Sequence, residues 1–438
     1  MMEKVIRFNL TIEPGQQGSY FTVPFEVPQG IESLELTYEY PRRLKRKEEQ
    51  PGEIFTATPE TNIVDLGLIA PDGRQVGASG SEKTRILVSE QYATPGYGAR
   101  TVSAGRWQVI VGAYQVAPEG VEVFYEITLK EKSLRLLKGD THVHSIASDG
   151  VHTLEELALK AKANGLDFLA VTDHNVFLPA ASIPYVPGIT MIPGVEWTHY
   201  QGHANFLGIN APYDEPFFTN SVEEARSRFT CAHERGALIT INHPFEGNSR
   251  FLFDFRQLPF DCLEVWNGPM RESNLKAVGL WQQMLSSGMR VAITGGSDYH
   301  RDTPFIFLGG PTMGVYALSA GMSDILSALR KGHSYITFAP DGPSIEMRAG
   351  EGIMGDQVDW QEEKELRVRL QGLQAGDVVL VVTAQENAAV FTATSEGELD
   401  FAYEMREPGF ARVEVLRAFL PGLPLLPALM SNPVYFKA

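Results

Sequence analysis

Residues 134–175 read LRLLKGDTHVHSIASDGVHTLEELALKAKANGLDFLAVTDHN, and this stretch decides the fold. LRLLKGDTHVHS (134–145) is an apolar run that passes into a polar loop, the pattern of a buried strand and its exit. Thr153-Leu154-Glu155-Glu156 is a capping box, in which Thr and Glu satisfy each other's free backbone N–H groups at a helix start. It opens the amphipathic stretch LEELALKAKAN, which Gly165 closes. DFLAVTDHN (167–175) is a second buried strand. Strand, helix, strand is the repeating unit of a parallel sheet.

Toward the C-terminus the alternation continues. ITMIPGVEW (189–197), HANFLGI (203–209), ALITINHP (237–244), CLEVWNG (262–268) and RVAITGGSDYH (290–300) read as strands. Ser221-Val222-Glu223-Glu224 caps a helix ending near Gly236, a third helix is expected around 273–287, and Ser323 is the expected cap of DILSALRK, closed by Gly332. The fold class is therefore α/β from about 134 to 345, with a parallel sheet that is open or closed into a barrel.

Both flanks read differently. Residues 1–133 hold short alternating or β-branched runs such as SYFTVPFEV, RWQVIVGAY and VEVFYEITL, separated by turns such as Pro71-Asp72-Gly73. They predict a β-sandwich domain. Residues 346–438 (ELRVRLQGL, VVLVVTAQ, ELDFAYEM, FARVEVLRA) predict a second, small β-domain. The charged segment 40–53, YPRRLKRKEEQPGE, reads as a solvated loop, with a basic binding patch as its alternative.

Composition limits the function. The 438 residues carry 37 Lys and Arg against 54 Asp and Glu, a net charge of −17. Most of such a surface repels a nucleic-acid backbone, which argues against a nucleic-acid scaffold. A phosphorylated small-molecule substrate remains compatible, because bound metal ions reverse the local field. Two cysteines, Cys231 and Cys262, build no disulfide framework and no CxxC site. No run approaches ~18 apolar residues and no apolar leader segment opens the chain, so a cytoplasmic location without a membrane span is expected.

Six of the ten histidines follow predicted strand ends: His142, His144, His174, His203, His243 and His300. Carboxylates stand beside them at Asp140, Asp149, Asp173, Glu196 and Asp298. Strand C-terminal ends in such a sheet converge on one face, so these side chains are expected to meet. In extended chain, positions i and i+2 point the same way, so His142 and His144 can reach one ion, as can Asp298 and His300. Imidazole and carboxylate without thiolate suit Zn²⁺, Mn²⁺ or Fe²⁺. The donors are too many for one ion, so two or three divalent metal ions are expected. His199 competes with His203, and the strand start in GHANFLG favours His203. His152, His233 and His333 read as ordinary histidines beside or inside helices. Gly295-Gly296-Ser297 reads as slack that lets a strand end come close to the metals. No GxSxG elbow, phosphate-binding GxxxxGK[ST] loop or GxGxxG turn is present.

In order along the chain, GDTHVHSIASDG, VTDHN, GVEWTHYQGHANFLG, INHP and GGSDYH resemble the PHP (polymerase and histidinol phosphatase) superfamily of metal-dependent hydrolases. The GVEWTHYQGHANFLG stretch is most similar to its carbaryl-hydrolase-type (CehA/McbA) branch. The resemblance implies a distorted (β/α)7 barrel flanked by the two β-domains. It implies one metal on His142, His144, Glu196 and Asp298, a second on Asp149, His174 and His300, and a third on Glu196, His203 and His243. Glu196 then bridges the first and third ions. Glu196, Asp298 and His300 are also the expected catalytic residues. The expected reaction is hydrolysis by a hydroxide held between two metals, most simply of a phosphoester. A carbamate or carboxylic ester is the alternative substrate, and a carbohydrate- or surface-binding protein is the alternative of another class. Arg301, next to His300, is the expected substrate contact, or else a plain surface arginine.

Overall fold

The computed structural model describes residues 3–43 and 60–438. The charged segment 40–53 therefore lies, from residue 44 onward, outside the described residues. The chain divides into two compact units, Met1–Ser133 and Leu134–Ala438.

The first unit contains β1 (Glu3–Ile12), β2 (Ser19–Val27), β3 (Ile31–Glu39), β4 (Ile63–Ile69), β5 (Gln75–Ser79), β6 (Arg85–Ser89), β7 (Gly105–Gln115) and β8 (Val121–Glu131). They form two four-stranded sheets, β1-β8-β3-β6 and β2-β7-β4-β5, with antiparallel neighbours throughout. In β8, Val121, Val123, Tyr125, Ile127 and Leu129 are buried while the residues between them are not, the period of a half-buried strand. These side chains join Leu34, Leu36, Trp107 and Val109 in one apolar core. The short β5, QVGAS, offers only one large apolar side chain, and the sequence reading passes over it.

The second unit opens with β9 (Arg135–Val143), α1 (Leu154–Ala163), β10 (Phe168–Val171), β11 (Thr190–His199), β12 (Gly202–Leu207), α2 (Val222–Glu234), β13 (Leu238–Ile241), β14 (Cys262–Asn267), α3 (Glu272–Ser286), β15 (Ala292–Gly296), β16 (Thr312–Ala317), α4 (Met322–Lys331) and β17 (Ser334–Thr337). The strands lie in the order β15-β14-β13-β12-β11-β10-β9-β16-β17. The steps β9–β10–β11 and β13–β14–β15 are parallel, as the strand-helix reading requires. Beyond β15 the chain returns to β9: Val143 pairs with Tyr299 in a parallel bridge and the Asp298 N–H donates to the His142 carbonyl. The first capping box forms in full, Thr153 and Glu156 bonding each other's backbone N–H, whereas the second forms by half: Ser221 accepts from the Glu224 N–H, but the Glu224 side chain takes the Asn220 N–H. Helix α4 begins at Met322, so Gly321 rather than Ser323 holds its cap position.

The architecture is mixed α/β, yet the described residues contain four α-helices rather than the seven of a regular (β/α)7 alternation. The physical reason lies at β12. It pairs antiparallel with both β11 and β13. An antiparallel return needs only a tight turn, here at Tyr200-Gln201, whereas a parallel step needs a crossover. β10 reaches β11 through residues 172–189 with only a short 3-10 turn, Ala180–Ser182.

The sheet also continues past residue 345. The remaining strands are β18 (Ser344–Ala349), β19 (Gly352–Ile353), β20 (Gln357–Asp359), β21 (Glu365–Leu373), β22 (Val378–Val382), β23 (Asn387–Thr392), β24 (Gly397–Glu404), β25 (Gly409–Arg417), β26 (Leu426–Ser431) and β27 (Val434–Lys437). β26 pairs with β17, and the same sheet runs on through β25 and β22 to β23. Asn432 fastens the join, accepting from the Ile293 N–H at 2.9 Å and donating to the Ser334 carbonyl at 3.0 Å. No helix of the described residues is long and apolar enough to cross a membrane.

Candidate metal centre

Strand ends β9, β10, β11, β13 and β15 deliver the histidines and carboxylates to one place. Glu196, fully buried on β11, is the hub. Its Oε1 lies 3.4 Å from His142 Nε2, 3.1 Å from His203 Nδ1 and 3.2 Å from His243 Nε2. Its Oε2 lies 3.5 Å from His144 Nε2 and 2.7 Å from His174 Nδ1. Asp298 Oδ1 stands 3.1 Å from His144 Nε2 and 3.5 Å from His142 Nε2. Asp149, on the loop after β9, closes the other side, with Oδ1 3.1 Å from His300 Nε2 and 3.7 Å from His174 Nε2.

Three overlapping groups of donors result: His144, Asp149, His174 and His300; His142, His144 and Asp298; and His142, Glu196 and His243. All nine sequence-predicted metal positions are thus brought together. His203 joins the cluster through Glu196, and His199 does not. Alternation along β11 puts Glu196 and Thr198 on one face and Trp197 and His199 on the other. His199 stacks on Trp197, with ring centroids 5.0 Å apart, and Nε2 donates to the Thr219 carbonyl at 3.0 Å. Arg301 is exposed beside His300.

The cluster passes a direct chemical test for cations. His142 Nε2 and His144 Nε2 are buried and have no hydrogen-bond partner among the described residues. Both lie within 3.1–3.5 Å of the carboxylate oxygens named above. A buried polar atom without a partner costs about 1–3 kcal/mol, and a divalent ion seated among these donors would relieve it. Electrostatics agrees. Burial opposes a charge on His142, but Asp298, Glu264 and Glu196 outweigh it and hold its pKa well above the usual imidazole value. Burial likewise opposes ionisation of Glu196 and Asp298, and neighbouring imidazolium groups overcome it, leaving both carboxyls far below their ordinary range. Protons thus occupy the charge-balancing role that metal binding would take over, with proton release. His144 goes the other way, its pKa lowered by burial.

Glu264 and Asn242 were missed from sequence, whereas Asp140 and Asp173, expected beside the histidines, hold the surrounding backbone and stand outside the three donor groups. Glu264, buried on β14, accepts from His142 Nδ1 at 2.9 Å, from the His243 N–H at 2.9 Å and from Asn267 Nδ2 at 3.2 Å. Its signal was a lone carboxylate in the otherwise apolar run CLEVW. Asn242 donates to Glu196 Oε1 at 2.9 Å. Asp173 holds the loop after β9 by accepting from the Ser145 N–H at 2.7 Å and from Ser148 Oγ at 2.7 Å. Asp140 accepts from the backbone N–H groups of His142, Ser297 and Gly309.

The backbone is bent to make the site. Among the described residues, three non-glycine residues have positive φ, and all are here: Asn175 (50°), His243 (26°) and Asp298 (52°). Such conformations cost about 1–3 kcal/mol each and persist where surroundings enforce them. Gly296 lets the end of β15 lie close against β9, since a Cβ there would lie 2.3 Å from His142 Cβ.

Comparison with known proteins follows this geometry. Residues 140–236 match the PHP domain family. The chain is 28% identical over 170 residues to DNA polymerase/3'-5' exonuclease PolX of Bacillus subtilis, covering 34% of this chain and 27% of that protein. It is 29% identical over 197 residues to a "probable phosphatase" of Vibrio campbellii, covering 37% of this chain and 78% of that protein. It thus spans about a quarter of the first relative's length and most of the second's. Among solved structures, a two-domain protein with a PHP-like metal-dependent phosphoesterase domain from Bacteroides vulgatus is similar at a TM-score of 0.41 and 17% identity, over 69% of this chain and 95% of that one. The stretch that supplies His142, His144, Asp149, His174, Glu196 and His203 is therefore the stretch that matches the PHP domain.

Proposed function

We propose that the second unit is a metal-dependent phosphoesterase. The observation that carries the reading is the pair of buried, unpartnered Nε2 atoms of His142 and His144, aimed at Glu196 and Asp298 inside a PHP-matching stretch. The relatives named as phosphatases lend support, as does a donor set of imidazole and carboxylate without thiolate.

His142, His144, Glu196 and Asp298 would hold one ion, Asp149, His174 and His300 a second, and Glu196, His203 and His243 a third, with Glu196 shared. Bound divalent ions would acidify water and neutralise charge developing on phosphoryl oxygens. The chain's own residues do the rest. Glu264 holds the His142 ring so that Nε2 faces the cluster. Asn242 and Asn267 hold the Glu196 and Asp298 carboxylates by amide hydrogen bonds. Arg301, exposed and next to His300 in sequence, is proposed to meet the substrate.

The test is elemental analysis of the purified full chain, then assay of protein loaded with Mn²⁺, Zn²⁺ or Fe²⁺ on p-nitrophenyl phosphate, bis(p-nitrophenyl) phosphate and an aryl carbamate. Chelator-sensitive phosphoester hydrolysis, lost in His142→Ala and Asp298→Ala, is expected. Turnover of the carbamate alone would move the assignment to the ester and carbamate class. Phosphoester turnover that survives both substitutions would refute it.

A further inference from the structure

Arg271 is the guanidinium that the fold ties to the carboxylate cluster. It occupies the N-cap position of α3, four residues after Asn267, the last residue of β14. Its Nη2 donates to Asn267 Oδ1 at 3.2 Å and reaches the Asn267 carbonyl at 3.4 Å. The same Asn267 donates through Nδ2 to Asp298 Oδ2 at 3.3 Å and to Glu264 Oε2 at 3.2 Å. One amide therefore stands between the guanidinium and a carboxylate of the proposed metal set.

The arginine is held, yet not used up. Glu246, four residues after Asn242, takes Nη1 at 2.8 Å and is itself fixed by Ser273 Oγ at 2.6 Å. The side chain remains 41% exposed. Of the five guanidinium N–H donors, these contacts engage only part. Gly268 keeps the space beside it clear: its φ is +54°, and a Cβ there would lie 3.3 Å from Arg271 Nη2. A phosphomonoester brings a dianion to a site lined by Asp149, Glu196, Glu264 and Asp298. Even with metals bound, the phosphoryl oxygens that face away from them need donors, and a fixed guanidinium supplies two in parallel. Lysine would supply a point charge without the fork.

We propose that Arg271 is a substrate-binding residue that contacts the non-bridging phosphoryl oxygens and so favours phosphomonoester dianions over diesters. The inference rests on the phosphoesterase reading above.

The experiment uses the metal-loaded full chain and its Arg271→Ala and Arg271→Lys variants. Inorganic phosphate is the calorimetric probe, with p-nitrophenyl phosphate and bis(p-nitrophenyl) phosphate as substrates. In Arg271→Ala the phosphate Kd and the monoester KM should rise about tenfold or more, as for loss of a charge-assisted pair. The diester KM should stay within about twofold and the metal content should not change. Arg271→Lys should recover part of the loss. Phosphate Kd and monoester KM within about twofold of the parent would overturn the proposal. So would equal losses on both esters accompanied by metal loss, since Arg271 would then act only by holding Asn267. If the parent turns over no phosphoester yet binds phosphate in an Arg271-dependent way, the phosphoesterase reading fails and the binding role stands. A parent that binds no phosphate overturns both.

Discussion

Glu264 Oε1 lies 2.9 Å from Nδ1 of His142, across 122 residues of chain. A carboxylate only accepts, so Nδ1 carries a proton and Nε2 is the nitrogen left to face Glu196 and Asp298, where a bound ion would displace its proton. Glu264→Gln keeps the volume and removes the strong acceptor. Metal affinity should fall roughly 10–100-fold while the protein stays folded. Competition with a graded chelator reads this directly, and an unchanged affinity would exclude the orienting role.

Asp149 stands apart from the buried donors. Its side chain is 57% exposed and meets only the His144, His174 and His300 rings among the carboxylate-to-imidazole contacts of the site. Asp149→Ala should therefore cost the fold less than about 0.5 kcal/mol. It should remove one equivalent of metal and leave the ions around Glu196 in place. Elemental analysis against protein concentration decides the matter, and loss of every equivalent would contradict separate sites.

His199 and His203 make a paired control. His203→Ala should lower metal content, because Nδ1 is 3.1 Å from Glu196 Oε1. His199→Ala should leave metal content untouched. Its cost should appear as about 1–2 kcal/mol of stability, from the lost bond to the Thr219 carbonyl and the lost stacking on Trp197. Urea melts with parallel metal assays separate the two behaviours, and the reverse pattern would overturn this assignment.

The difference between these two histidines shows what was legible in the sequence. HxH and DxH spacing carries a real geometric signal, because alternate residues of a strand share a face. GHANFLG placed His203 at a strand start for the same reason. Glu264 escaped notice because its partners are distant in sequence, and nothing near CLEVW marks a carboxylate as bound rather than exposed. The helix count also escaped. The short gap between the strands read at 189–197 and 203–209 leaves no room for the crossover a parallel step needs, and the seven-helix expectation did not use it. The boundary set near 345 came from a change in periodicity. Periodicity reports local structure, and the β17–β26 ladder is a long-range pairing.

Asp140 should mark the pH dependence of the metal-free protein. Burial raises its carboxyl pKa to about 6, against the opposing hydrogen bonds from Ser297, Gly309 and His142. The native state then keeps this proton up to about pH 6, whereas an unfolded chain releases it near pH 4. Between those values the native state binds more protons, so this group's contribution to stability falls as pH rises and is level above about 6. Asp140→Asn lacks the titration. The stability gap between parent and variant should narrow by on the order of 2–3 kcal/mol from pH 4 to pH 7. Urea unfolding in chelator at several pH values measures it, and a constant gap would show that Asp140 does not titrate in that window.

The Asn432 clamp has a consequence for the order in which the molecule is made. Ile293 and Ser334 emerge from the ribosome well before the side chain that satisfies them, 139 and 98 residues behind it. Until then the open edge of β17 and the amide of Ile293 have only water or a chaperone for company. All nine proposed metal-binding residues have already been translated by that stage. Assembly of the centre can therefore begin on a nascent chain whose sheet is not yet complete.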